Sequence, residues 1–281
     1  MTTGGKTIRA GVIGWPTEHS LSPRLHGYWL NEYGIDGTYV AIPAPPEDFP
    51  AALVSLVEQG FAGVNVTVPH KQAAALAVDD LDDNAKRLGA VNTIVVKADG
   101  SLSGSNTDGF GFMENLKSGA SGWSVKDGPA VVIGAGGAAR AIVAALLDEG
   151  APTLRLVNRT QERAQALAAD IGGAIDVVSW QDRAATLDGA ALLVNTTTLG
   201  MTGNAPLDLD LGPLPKGALV TDIVYAPLET PLLVAAQLNG NRTVDGLGML
   251  LHQARPGFRQ WFGAEPTVTD GLRAAVLKGL E

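Results

Sequence analysis

The stretch PAVVIGAGGAARAIVAALLDEG, residues 129 to 150, constrains the fold more than any other part of the chain. A short apolar run leads into a glycine-rich turn, and the turn opens a segment with helical spacing. Gly134-Ala135-Gly136-Gly137-Ala138-Ala139 fits G-x-G-x-x-A. The first glycine permits a tight turn, and the second lets backbone amides approach a pyrophosphate at the helix N-terminus. The small Ala139 permits close packing of helix on strand. In a chain with 35 glycines the pattern alone is weak. The strand before it and the helix after it supply the context of a dinucleotide site.

Further along, TLRLVN, AIDVVSW, ALLVNTT and ALVTDIV read as short apolar strands, and QERAQALAADI reads as a helix. This alternation predicts a parallel sheet with helices on both faces. TPLLVAAQL, DGLGMLLHQARPGFRQWF and TVTDGLRAAVLKGL read as helices. The first part is a second α/β unit. Its strands are IRAGVIG (8–14), GTYVAIPA and FAGVNVTVP, and VNTIVVK and SLSGSNT flank Ala98-Asp99-Gly100 as a hairpin. Helices are expected over SPRLHGYWLNEY, EDFPAALVSLVEQ, KQAAALAVD and from DGFGFMENLK. Ser22 before Pro23 reads as an N-cap. The boundary between the units falls near residues 106–128.

The second strand of a dinucleotide fold commonly ends in an acid that binds ribose hydroxyls, whereas a nearby arginine accommodates a 2′-phosphate. Here it ends in Asn158-Arg159, and Asn158 lies 24 positions after Gly134, close to the usual spacing of about 20. Asn158 carries no charge to repel phosphate. Arg159 and Arg163 can both face one dianion, and Thr160 could cap the helix between them. The expected cofactor is therefore NADP.

Composition narrows the remaining classes. With 46% hydrophobic and 17% charged residues, a chain of 281 residues can build two sizeable cores. A net charge of −9 argues against nucleic acid or anionic lipid as partner. No apolar run reaches the roughly 18 residues of a membrane span. The opening MTTGGKTIRAGVIGW lacks a basic segment followed by a long apolar core, so no signal peptide is expected. A cytoplasmic location fits the absence of cysteine. His19, His26, His70 and His252 form no HExxH pattern, and no metal site is expected. A GxSxG elbow is also missing.

HSLSP (19–23), NVTVPHK (65–71), GAVNT (89–93) and SNTDG (105–109) are richer in polar residues than strand ends and helix starts require. Singly, they read as caps and turns. Together with GAGGAAR, NRT and DGLGMLLHQ, in this order and spacing, they resemble shikimate dehydrogenase from about Gly11 to Gln253. The resemblance implies a catalytic α/β domain, residues 1–110 completed by 246–281, and a Rossmann NADP domain, residues 111–245. The C-terminal helices would pack back on the first domain.

It also implies reversible reduction of 3-dehydroshikimate to shikimate in aromatic amino-acid biosynthesis. Lys71 and Asp108 would be the catalytic pair. Ser20, Ser22, Thr67, Asn92, Tyr225 and Gln253 would complete the substrate site, with Tyr225 and the serines at the carboxylate end. Gly134, Ala135, Gly136, Gly137, Ala138, Asn158, Arg159, Thr160, Arg163 and Gly246 would hold the cofactor, Gly246 near the nicotinamide. Ala139 departs from the GAGGAS of many members and removes one hydroxyl donor. Gly27 stands where many members have a polar residue. The partner is a small molecule, and the chain is expected to be a monomer or homodimer. Rival readings are an NAD-using quinate/shikimate dehydrogenase, an enzyme for an amino-substituted shikimate, and a non-catalytic NADP-binding sensor.

Hydride arriving at a ketone carbon leaves charge on oxygen that must be stabilised and protonated. A lysine ammonium can do both. A neighbouring carboxylate keeps that ammonium charged against desolvation.

Overall fold

The structure, a computed structural model, describes residues 7–280. The signal-peptide reading bears in part on residues 1–6, which lie outside the described residues. The chain divides into two compact units. One runs up to Thr107 and resumes at Gln253; the other is Asp108–His252.

In the first unit the order is β1 (Ile8–Gly14), α1 (Ser22–Glu32), β2 (Gly37–Pro43), α2 (Phe49–Glu58), β3 (Gly63–Val66), α3 (Lys71–Ala77), β4 (Asp80–Leu81), α4 (Asp83–Leu88), β5 (Thr93–Val96) and β6 (Leu102–Ser105). Six strands form one mixed sheet in the order β2-β1-β3-β5-β6-β4. β1 pairs in parallel with β2 and β3, so it is covered on both sides and reads as a continuous apolar run. β5 runs antiparallel to β3 and to β6, as the hairpin signal implied. Beneath the sheet, Ile13, Val64, Val66 and Ile94 pack on Phe49, Leu53 and Leu56 of α2.

The second unit holds α5 (Asp108–Gly119), β7 (Ala130–Ile133), α6 (Gly137–Asp148), β8 (Leu154–Val157), α7 (Gln161–Ile171), β9 (Ile175–Val178), β10 (Leu192–Asn195), β11 (Leu219–Asp222), α8 (Pro231–Leu238) and β12 (Arg242–Val244). Its sheet is parallel throughout, in the order β12-β11-β10-β7-β8-β9. Strand order reverses between β7 and β10, where open α/β sheets bind ligands beyond the carboxyl ends of their strands. α9 (Leu247–Phe262) starts in this unit, and its part from Gln253 belongs to the first. α10 (Asp270–Leu277) packs on α1. In the first unit, the Trp261 indole donates to the Ile94 carbonyl at 3.0 Å and the Trp29 indole to the Thr267 carbonyl at 2.9 Å.

Some local expectations are corrected. Ser22 is not the N-cap of α1. Leu21 holds that position with φ −81° and ψ −8°, already helical, and makes no side-chain cap. An N-cap needs an extended backbone for its oxygen to reach back to the amides. Thr160 does occupy the N-cap position of α7 with extended backbone, but its hydroxyl makes no capping bond. Asp108 is the first residue of α5. β4, α4 and β12 went unread because two, six and three residues are too few to show a period.

One ionisable group sits inside the first core. His26, on the inner face of α1, is fully buried. Its ring stacks on Tyr39 with centroids 3.9 Å apart and planes 5° apart, and Trp29, Phe258 and Trp261 close around it. Neither ring nitrogen reaches a partner in good hydrogen-bonding geometry. Burial therefore lowers its pKa from 6.5 to about 3, with the Asn65 side chain nearby pulling weakly the other way. The unfolded chain binds this proton more tightly than the folded one, so the folded state loses stability as pH falls through 6.5 toward 3. Between pH 7 and 5 the loss from this group is about 2 kcal/mol. His26→Phe keeps the stacked ring and removes the titration. Urea unfolding at both pH values should show the variant losing about 2 kcal/mol less than the parent over that interval; equal losses would exclude His26 as the source.

Candidate active site

In the first unit the polar stretches converge at one end of the sheet: HSLSP, NVTVPHK and SNTDG follow β1, β3 and β6, and GAVNT leads into the antiparallel β5. Thr67 leaves β3 with its amide bonded to the Ile13 carbonyl at 2.9 Å. After the Val68–Pro69 pair the chain turns through His70 into α3, whose first residue is Lys71. His70 is buried, contacts the Ala44 carbonyl through Nε2 at 2.7 Å and stacks on Phe49 at 4.3 Å. Those two contacts anchor the start of α3, and Lys71 stands half-buried beside them. The Lys71 carbonyl accepts from the Val91 amide at 2.8 Å, which brings it next to Asn92.

Asn92 is buried and joins β5 to the exit of β6. Its Oδ1 accepts from the Thr107 amide at 2.9 Å and the Thr93 hydroxyl at 3.0 Å, and its Nδ2 donates to Thr107 Oγ1 at 3.0 Å. The Thr107 hydroxyl donates to the Gln253 carbonyl at 2.8 Å. Asp108, the next residue, is 2% exposed.

Asn65 was not assigned a role from the sequence, although it lies within NVTVPHK. It accepts from the Tyr39 hydroxyl at 2.6 Å and donates to the Asn92 carbonyl and Thr93 hydroxyl, both at 3.2 Å. Burial pushes the Tyr39 phenol well above its usual pKa, and a bond with the Ser22 side chain opposes the push. The Ser22 amide meets Ser20 Oγ at 3.4 Å. Thus Ser20, Ser22, Asn65, Asn92 and Thr107 lie along one polar ribbon. A signal existed: Asn65 is a polar residue between the buried Val64 and Val66 on a central strand. Thr107, likewise unassigned, carries no comparable mark.

In the second unit the glycine turn has the predicted form. Gly134 has φ +114°, and a Cβ there would lie 2.5 Å from Thr196 Oγ1. Gly136 holds the N-cap position of α6 and makes no side-chain cap. A Cβ on Gly136 or on Gly137 would meet nothing within 4 Å. Ala135 and Ala138 flank this open cradle, and Ala139 is fully buried under it. The first-turn amides of α6 therefore border space fit for a pyrophosphate.

At the end of β8, Asn158 is half-buried and donates to the Thr160 carbonyl at 2.7 Å, which shapes the turn carrying Arg159. Arg159 and Arg163 are exposed, and neither forms an ion pair with another described residue. Arg140, by contrast, is tied to Asp170. Two uncommitted guanidiniums, no carboxylate at the strand end and an open glycine cradle fit a 2′-phosphorylated dinucleotide.

Beyond β11, Tyr225 is half-buried, and burial raises its phenol pKa. Gly246 abuts the strand exit so closely that a Cβ would lie 2.5 Å from the Ile223 carbonyl. Among the described residues, no group of three or more His, Asp or Glu side chains is placed to hold a metal ion.

Family models match three segments: the shikimate dehydrogenase substrate binding domain over residues 12–94, shikimate / quinate 5-dehydrogenase over 117–200, and the shikimate 5′-dehydrogenase C-terminal domain over 246–277. A shikimate dehydrogenase (NADP(+)) of Paramagnetospirillum magneticum is 60% identical over 97% of this chain and 99% of its own length. The structure of Thermus thermophilus shikimate 5-dehydrogenase in complex with NADP(H) and shikimate matches with a TM-score of 0.86 at 38% identity, over 97% of this chain and 99% of that one. Quinate dehydrogenase from Corynebacterium glutamicum in complex with NAD matches with a TM-score of 0.91 at 33% identity, over 98% of this chain and all of the other. On the strength of near-complete coverage at this identity, the chain belongs to the NADP-dependent shikimate dehydrogenase family.

Proposed function

We propose that Lys71 is the proton donor and Asp108 its catalytic partner in the reversible reduction of 3-dehydroshikimate to shikimate. The observation that carries this is the short set of bonds Lys71–Val91, Asn92–Thr107. They tie the start of α3 to Val91 and the residue immediately before Asp108 to the adjacent Asn92. Ser20 and Ser22, on the same ribbon, suit the substrate carboxylate as hydroxyl donors. Thr67, Asn92 and Gln253 suit the ring hydroxyls, and Tyr225 suits the carboxylate end. The domain roles follow: residues 1–110 with 246–281 hold substrate, and 111–245 hold NADP.

The cofactor, when bound, supplies or accepts the hydride. The Lys71 ammonium places a proton at the substrate's C3 oxygen as negative charge develops there. The Asp108 carboxylate favours the charged lysine and accepts a bond from a ring hydroxyl. In the oxidative direction Lys71 takes the proton back. Arg159 and Arg163 hold the 2′-phosphate, and Asn158 keeps their turn in shape. The amides behind Gly136 and Gly137 hold the pyrophosphate, with Ala135 and Ala138 beside them, and Gly246 borders the nicotinamide. No described helix is long and apolar enough to cross a membrane. A cytoplasmic enzyme, monomeric or homodimeric, fits this reading.

Lys71→Met should lower kcat by about 10²–10⁴-fold, the usual contribution of a positioned proton donor, and leave KM for shikimate nearly unchanged. Steady-state assay at the nicotinamide absorbance checks this, and near-normal turnover would remove Lys71 from the chemistry. Charge-assisted hydrogen bonds contribute about 1.5–3 kcal/mol each, so Arg159→Ala should cut the preference for NADP+ over NAD+ by about tenfold or more. The ratio of kcat/KM for the two cofactors reads it directly. An unchanged ratio would place the 2′-phosphate elsewhere.

A further inference from the structure

We infer that Asp222 is a positioning residue for the nicotinamide half of the cofactor: it holds the exit of β11, which carries Tyr225 and lies against Gly246, in register with the exit of β10. The inference rests on the reading above that Gly246 and Tyr225 border the reacting end of the site.

Asp222 is the last residue of β11 and is fully buried. Its Oδ1 accepts from Asn195 Nδ2 and from the Val224 amide, both at 3.0 Å, and its Oδ2 accepts from Thr230 Oγ1 at 2.8 Å. Asn195 is the last residue of β10, the neighbouring strand. It passes the restraint outward: Nδ2 also donates to the Leu199 carbonyl at 3.0 Å, and Oδ1 accepts from the Thr197 amide and hydroxyl at 3.0 and 2.8 Å. Thr230 is the N-cap of α8. One carboxylate therefore organises the segment after β10, the segment after β11 and the start of α8. The exit of β10 flanks the point where strand order reverses, and the residue after Asp222 lies against Gly246.

Stability alone does not explain such a group. Burial raises the Asp222 pKa, and its three hydrogen bonds oppose that rise without help from a cation. A buried charge without an ion partner is costly, and apolar packing at such a place commonly stabilises a fold as well or better. What an apolar residue could not do is accept three bonds from three separate segments. The carboxylate is needed for the geometry of the loops it ties.

The test uses the full chain and four readouts: kcat, KM for NADP+, KM for shikimate, and the dissociation constant of 2′,5′-ADP, which carries the 2′-phosphate but no nicotinamide. Asp222→Ala should lower kcat by about 10–100-fold, as a misplacement of about 1 Å does. It should raise KM for NADP+ and, through the displaced Tyr225, KM for shikimate, and leave 2′,5′-ADP binding within about twofold. Asp222→Asn keeps the two bonds at Oδ1 and should stay within about fivefold of the parent. Weakening of 2′,5′-ADP as severe as that of NADP+, or Asn as damaging as Ala, would overturn the inference. Should the alanine variant not fold, Thr230→Val removes one bond and should give a milder fall in kcat with the same split; unchanged constants would overturn it. Arg159→Ala, measured alongside, must weaken 2′,5′-ADP. If it does not, the reading of the cofactor site fails, independently of Asp222.

Discussion

The buried side chain of Asn92 is the constraint on which the first unit's site depends. Its amide binds the backbone and hydroxyl of Thr107, and its own carbonyl is shared with Val66 and Asn65. The exits of β3 and β6 and the entry of β5 are thereby locked together. A buried amide left without partners costs free energy, so this arrangement tolerates little slippage. Lys71 inherits the order through the Val91 bond, and Asp108 inherits it as the next residue in the chain. The catalytic pair proposed above needs such rigidity, because proton transfer and charge stabilisation both fall off with small displacements.

The second unit solves a different problem. It must attract a highly anionic cofactor to a chain whose net charge is −9. In the proposed reading, local donors do this. Helix-start amides face an open cradle at Gly136 and Gly137, and two arginines stand exposed at the end of β8. Asn158 contributes by having no charge and by bracing the turn. The same overall fold occurs in a quinate dehydrogenase solved with NAD, at a higher TM-score than the shikimate enzyme solved with NADP(H). Fold likeness therefore does not separate the two activities. In the proposed reading, chemistry at the end of β8 bears on the cofactor, and the residues around Ser20 and Ser22 bear on the substrate.

A sensor without catalysis on this fold would have no use for a half-buried lysine at the head of α3 or for the ribbon that anchors it. The same buried polar groups that make the site costly to the fold make it informative about function. Each has a defined set of partners, and those partners come from segments far apart in the chain.

Much was legible before any coordinates. The glycine turn, the strand–helix alternation and the hairpin at Asp99-Gly100 follow from backbone sterics and burial periods, which are local. NADP as the cofactor was legible from Asn158-Arg159, because charge at one position decides whether phosphate is attracted or repelled there. Tertiary structure decided the rest. Ser22 reads as a cap until Leu21 is found already helical. β4, α4 and β12 exist through pairing and a single cap, not through any period of their own. The roles of Asn65, Thr107 and Asp222 lie in hydrogen bonds to residues eight to 146 positions away. A linear sequence shows which side chains can donate or accept, but only the folded chain brings the partner within 3 Å.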